Sequence, residues 1–138
     1  MRFPLATSPA LRPILAVLGM SPKSCFAEID AERETLLVKA GIWFEETFSL
    51  REVAEVVPSR WPWWGGLGVK LGPESSVGVV TAGKGLVAVR FARPQAMHVL
   101  IAVHRSELRL SLESPEEFTR ALQKAMAPAR PSEATHPN

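Results

Sequence analysis

From Cys25 onward the apolar positions of the chain recur mostly at every second residue, the period of a half-buried β-strand. Ala27, Ile29 and Ala31 alternate with Glu28 and Asp30, and Leu36, Val38 and Ala40 alternate with Leu37 and Lys39. The polar stretch Ala31 to Glu34 between them predicts a hairpin. Gly41 permits a second reversal, after which Ile42, Phe44, Glu46 and Phe48 face one way and Trp43, Glu45 and Thr47 the other. Leu50, Val53, Ala54 and Val57 have helical spacing, yet Val53 to Val57 also reads as a strand ending at Pro58. The strand is preferred because its neighbours are strands. Further strands are expected at Val69 to Leu71, Val77 to Thr81, Val87 to Phe91 and Met97 to Val103. Gly72 to Ser76, Ala82 to Gly85 and Arg93 to Gln95 should turn the chain between them, and His104 to Ser106 leads into a closing strand. In that strand Leu108, Leu110 and Leu112 alternate with Glu107, Arg109 and Ser111.

The period changes at Ser114. Ser114 suits an N-cap, Pro115 suits the first helical position, and Glu116 and Glu117 favour the positive end of the helix dipole, with Glu117 placed to complete a capping box. Phe118, Ala121, Leu122, Ala125 and Met126 then form one apolar stripe. A stripe of that kind needs a partner, and everything upstream offers strands. The fold class expected is therefore mainly β with one C-terminal helix.

Composition limits the organisation. A chain of 138 residues suits one domain with one core. The 12 prolines exceed the roughly 5% average and gather towards the ends. Residues 1–24 are expected to be an N-terminal extension, packed or loose, with one or two helical turns after Pro9. Residues 25–127 form the domain, and residues 128–138 a disordered tail. The apolar run Ile14 to Met20 is too short for a bilayer crossing, which needs ~20 residues. The residues before Cys25 lack the small side chains of a lipoprotein processing site. A formal charge of +2, scattered along the chain, makes nucleic acid an unlikely partner. The single cysteine excludes an intrachain disulfide and a multi-cysteine metal site. It fits a reducing cytoplasm and is expected to behave as a small buried hydrophobe.

About seven short antiparallel strands closed by one amphipathic helix resemble the pleckstrin-homology-like (PH-like) fold, specifically its small bacterial families. The resemblance covers about Cys25 to Ala127. Its carriers are the opening hairpin FAEIDAERETLLVKAGIW, the segment FSLREVAEV and the strand-to-helix ending SLESPEEFTRAL. It implies a partly open antiparallel barrel of about seven strands, with the helix plugging one end and Phe118 and Leu122 deepest. Many eukaryotic members bind inositol phosphates through basic residues of the first hairpin loop. Here that loop reads Asp30-Ala31-Glu32-Arg33-Glu34, and its acidic side chains would repel phosphate, so the activity is not carried over. What the resemblance implies instead is a protein-binding or membrane-associated module.

The search for catalytic chemistry yields little. His98 and His104 are expected on one strand, six residues or roughly 20 Å apart, beyond the reach of one metal. Gly65-Gly66-Leu67-Gly68 precedes a strand rather than a helix, so it suits a bulge or corner better than a phosphate loop. No cofactor or metal is expected, no serine lies in G-x-S-x-G, and an enzyme is the least favoured class. The segment Arg60-Trp61-Pro62-Trp63-Trp64 is where function competes with packing. Folded over the body, its rings extend the core. Projecting outward, Trp61, Trp63 and Trp64 between Arg60 and Lys70 would form a partner-binding or membrane-surface patch. The sequence thus predicts a non-catalytic PH-like binding or scaffolding module engaging an unidentified protein partner. It would lie in the cytoplasm, with a membrane-surface module at the inner face of the membrane as the alternative.

Removal of residues 128–138 should leave the thermal midpoint unchanged, because that stretch has no apolar periodicity. A chain ending at Glu117 loses the whole stripe and should aggregate or unfold. Thermal unfolding of the two truncations against the full chain checks both outcomes, and a cooperative melt of the shorter one at the full-length midpoint would show the helix to be an appendage.

Overall fold

The alternation of Ala27 and Ile29 with Glu28 and Asp30 becomes strand β2 (Cys25–Asp30), which pairs antiparallel with β3 (Thr35–Ala40), Ile29 opposite Leu36 and Ala27 opposite Val38. The computed structural model describes residues 1–6, 12–17, 22–59, 68–72, 76–80, 85–99 and 101–126. Strand β1 (Arg2–Pro4) adds to the outer edge of β2 and β4 (Phe44–Ser49) to β3, giving a sheet in the order β1-β2-β3-β4. Its buried side carries Phe3, Ala27, Ile29, Leu36, Val38, Phe44 and Phe48, so period 2 in the sequence is read directly as a core face. The turn at 31–34 ends on Glu34, whose φ of 57° lies in the left-handed region. Two bonds hold it there: Leu50 donates its N–H to the Glu34 carbonyl at 2.8 Å, and Arg51 Nε donates to Glu34 Oε1 at 3.0 Å.

Leu50–Glu52 is a 3-10 turn capped by the Ser49 side chain, and β5 (Val53–Pro58) follows it. The segment that had both spacings thus uses both: Leu50, Val53 and Val56 are buried, the first from the turn and the others from the strand. β5 opens a second sheet in the order β5-β8-β9-β7-β6, built with β6 (Gly68–Gly72), β7 (Ser76–Val80), β8 (Leu86–Val99) and β9 (Ile101–Ser111). All of its pairs are antiparallel except β7 with β9, which is parallel, so the expectation of wholly antiparallel strands is corrected.

The long β8–β9 hairpin also redraws the predicted strands. Arg93-Pro94-Gln95 does not turn the chain. It belongs to β8, at a register shift between Arg90 and Gln95, and the ladder assigns Pro94 no partner that its missing N–H could deprive. The reversal comes instead between Val99 and Ile101, which pair directly, so the apolar series Met97, Val99, Ile101 and Val103 is two strands rather than one. The shift also exchanges the faces of β9. Leu108 and Leu110 lie opposite Val89 and Val87 in the core, whereas beyond the shift Val103 lies opposite Met97.

The first six residues join the sheets. Phe3 and Leu5 are buried, ahead of the boundary expected at Cys25, because β1 pairs with β2 while Leu5 bridges to Leu112 just past β9. Ala6 donates its N–H to the Ser111 carbonyl at 2.9 Å and Glu113 donates to the Pro4 carbonyl at 3.1 Å. A short helix, α1 (Arg12–Val17), occurs after Pro9. The closing helix α2 (Pro115–Met126) begins where the cap residues place it, with Phe118 N–H bonded to the Ser114 carbonyl at 3.0 Å. Phe118, Leu122 and Met126 are buried, Ala121 and Ala125 pack beside them, and the ring of Phe118 meets that of Phe3 edge to face at 5.4 Å. The fold is mainly β, two sheets with one C-terminal helix laid against both. Among the described residues the strands do not close into a barrel. Residues 73–75 of the expected Gly72 to Ser76 turn, residues 82–84 of the expected Ala82 to Gly85 turn and the tail at 128–138 lie outside the described residues.

Gly85 sits at the entry to β8 with φ of 70°, accepting the Leu112 N–H at 2.8 Å, and a Cβ there would overlap the Leu112 carbonyl oxygen. Gly85→Ala should therefore destabilise the protein by about 2–5 kcal/mol, from the left-handed backbone and the clash together. Urea unfolding measures it, and an unchanged midpoint would rule out this approach of β8 to Leu112.

Candidate functional site

Of the candidate patch Arg60, Trp61, Trp63, Trp64 and Lys70, Lys70 is placed among the described residues, in β6, where it pairs with Gly78 of β7. Arg60, Trp61, Trp63 and Trp64 lie outside them. The surface must therefore be read from other side chains.

Large apolar residues stand out at two reversals. Gly41, with φ of 57°, starts the β3–β4 turn, and the strand resumes only at Phe44 opposite Ala40. Ile42, expected to face inward, is consequently 86% exposed, and Trp43 is 44% exposed. Ile101, beside the β8–β9 reversal, is 64% exposed. The strands leaving these two turns are tied together: Glu46 of β4 accepts the backbone N–H of His98 of β8 at 2.9 Å and contacts His98 Nδ1 at the same distance. The rings of Phe48 and Phe91 meet 4.8 Å apart between the same two strands. Alternation counts Ile42 with the core, and only the position of the turn reveals it as surface.

The second sheet carries charge on the face turned away from the core. Arg90, Glu107 and Glu55 occupy facing positions on β8, β9 and β5. Arg90 bonds Glu55 at 2.7 Å and Glu107 at 3.1 Å, and Glu107 also accepts from Arg109 Nε. Glu107 and Arg109 are both buried, so this ladder places a carboxylate between two guanidiniums with little water near it. The hydrogen bond to Glu55, followed by that to Glu107, raises the pKa of Arg90. At the register shift, Arg93 holds Glu52 through both carboxylate oxygens, at 2.9 and 2.6 Å, and Gln95 Nε2 reaches Glu52 Oε1 at 3.4 Å. The Arg93 bond holds the Glu52 carboxyl below its usual pKa. Its stabilisation is present above the unfolded-state pKa and is lost as pH falls through the folded one.

Other chemistry is modest. A shallow groove of about 390 Å³ runs beside the 31–34 turn, lined among others by Arg33, Thr35, Thr47, Ser49 and Arg51. Both of its guanidiniums face carboxylates, Arg33 near Asp30 at 3.7 Å and Arg51 on Glu34 at 3.0 Å, which opposes the field an anion would need. Cys25 is fully buried, and that burial raises its thiol pKa against the smaller effects of Ser24 and the Gly41 backbone, leaving it protonated at neutral pH. His98 and His104 are not on one strand. The reversal between Val99 and Ile101 puts them on β8 and β9, with His98 opposite Ala102 and His104 opposite Ala96. Among the described residues no group of three or more His, Cys, Asp or Glu side chains could hold a metal ion, and no helix is long and apolar enough to cross a membrane. The chain matches no family model, no curated protein and no solved structure.

Glu107→Gln removes the negative charge between Arg90 and Arg109 and should destabilise the protein by roughly 3–5 kcal/mol, whereas Arg33→Ala, at an exposed pair, should leave unfolding unchanged. Urea unfolding of the two variants checks the contrast, and equal midpoints would show the ladder to be no more than a surface feature.

Proposed function

We propose that the chain is a non-catalytic, PH-like binding or scaffolding module that engages a protein partner. The observation that carries this reading is the exposure of Ile42, Trp43 and Ile101 at the β3–β4 and β8–β9 reversals, whose strands are joined through Glu46 and His98. Exposed tryptophan and isoleucine at turns supply apolar area that a partner can bury, and tryptophan is enriched among residues that dominate protein interfaces. The PH-like architecture is supported by the succession of strands in two sheets followed by a C-terminal helix whose Phe118 and Leu122 are fully buried. A cytoplasmic setting is in keeping with the single cysteine, Cys25, which is buried as a free thiol.

The test has two arms. In affinity capture with quantitative mass spectrometry, the native chain should retain a protein that Trp43→Ser and Ile42→Ser release, while both variants keep the native melting temperature. In co-sedimentation, the chain should stay in solution with neutral and with anionic vesicles. Vesicle binding without a protein partner would replace this reading with a membrane-surface module, and turnover of a hydrolase substrate abolished by changing a single His or Glu would end the non-catalytic one.

A further inference from the structure

We infer that His98 and His104 form a two-imidazole site for a borderline first-row divalent cation such as Zn²⁺ on the outer face of the β8–β9 hairpin, with Glu46 orienting His98. The register places the two histidines diagonally across adjacent strands, His98 opposite Ala102 and Ala96 opposite His104. Directly paired residues share a face, as do residues two apart on one strand, so both imidazoles leave the same side of the hairpin. All four residues of this square are exposed, while Met97 and Val99 point the other way into the core. Diagonal positions of this kind have Cβ atoms roughly 7 Å apart, close enough for two imidazole nitrogens to meet one ion at about 2.0–2.1 Å. The other two corners are alanines, which leave the space between the rings open.

Glu46 adds the second element. Its Oε2 lies 2.9 Å from His98 Nδ1 and 2.9 Å from the His98 backbone N. An ionised carboxylate can only accept, so Nδ1 carries a hydrogen and the neutral form of the ring has its lone pair on Nε2. A histidine donating one ring N–H to a carboxylate and offering the other nitrogen is the usual arrangement of a metal ligand. The Glu46 side chain is 17% exposed and that of His98 72%, so the orienting bond is sheltered while the ring itself meets solvent. Two imidazoles suit zinc, nickel or copper in preference to magnesium or calcium, and water completes the coordination.

Calorimetric titration of the full chain with Zn²⁺ in a non-chelating buffer at neutral pH tests the site. One ion should bind per chain with micromolar affinity. His104→Ala, which removes an exposed side chain outside the core, should weaken binding at least tenfold, and Glu46→Gln should weaken it by about 10–100-fold, the usual cost of losing such a partner. His136→Ala should leave it unchanged. Histidine nitrogen shifts should show zinc on His98 Nε2 with Nδ1 still protonated. Absence of binding up to millimolar Zn²⁺, or native affinity in the His104→Ala variant, would overturn the site. Coordination through Nδ1, or native affinity in the Glu46→Gln variant, would overturn the role given to Glu46.

Discussion

Neither sheet can remove its apolar face from water by itself, and α2, which lies against both, buries Phe118, Leu122 and Met126 from one face. The helix lies against β5 and β8 of one sheet and β2 of the other, so its stripe closes the core from outside while the strands form its walls. Each of these side chains contributes about 1.5–3 kcal/mol when fully buried. Phe3 reaches the same place from the first strand and meets the Phe118 ring edge to face. The N-terminal segment bonds to β2 on one side and to residues 111–113 on the other, so the start and finish of the folded core are stitched at the point where the helix departs.

The second constraint is how two sheets are joined when the hairpin shared by their seam is too long to stay flat. β8 pairs with β5 only as far as Phe91, and the register shift that follows turns its outer half across β4. Each exposed backbone group at that seam needs a partner, and Glu46 supplies one to His98. At the shift itself Glu52 binds the side chains of Arg93 and Gln95, and Gln95 Nε2 donates to the Arg93 carbonyl at 2.9 Å. Charge is thus used at the joints, where regular ladder bonds run out, and apolar burial is used between them. The buried Glu107 with Arg90 and Arg109 is the exception, set on the face of the second sheet turned away from the core.

These joints also define the surface through which the protein would act. The two reversals that expose Ile42, Trp43 and Ile101 belong to strands linked by the Glu46–His98 contact, and the same contact orients the histidine of the inferred metal site. The oriented imidazole and the link between the strands that carry the apolar tips therefore rest on one carboxylate that is neither core nor fully exposed.

Local pattern determined the elements whose structure rests on near neighbours. The β2–β3 hairpin, the inward set Val87, Val89 and Phe91, and the whole of α2 follow from period and caps, because alternation and the Ser114-Pro115 start act within a few residues. Tertiary structure alone decided the rest. Pro94 reads as a breaker, but a strand that lacks a ladder partner at that point can carry it. Nothing in the sequence marks a reversal between Val99 and Ile101, which are as apolar as strand interiors, and so the diagonal placement of His98 and His104 across a hairpin was invisible. Phe3 and Leu5 form too short a run to announce a strand and gain their place from β2 and Leu112. The parallel pairing of β7 with β9 and the stacking of Glu55, Arg90 and Glu107 join residues dozens of positions apart. Sequence spacing carries no signal for such contacts, because they form only when separate strands arrive side by side.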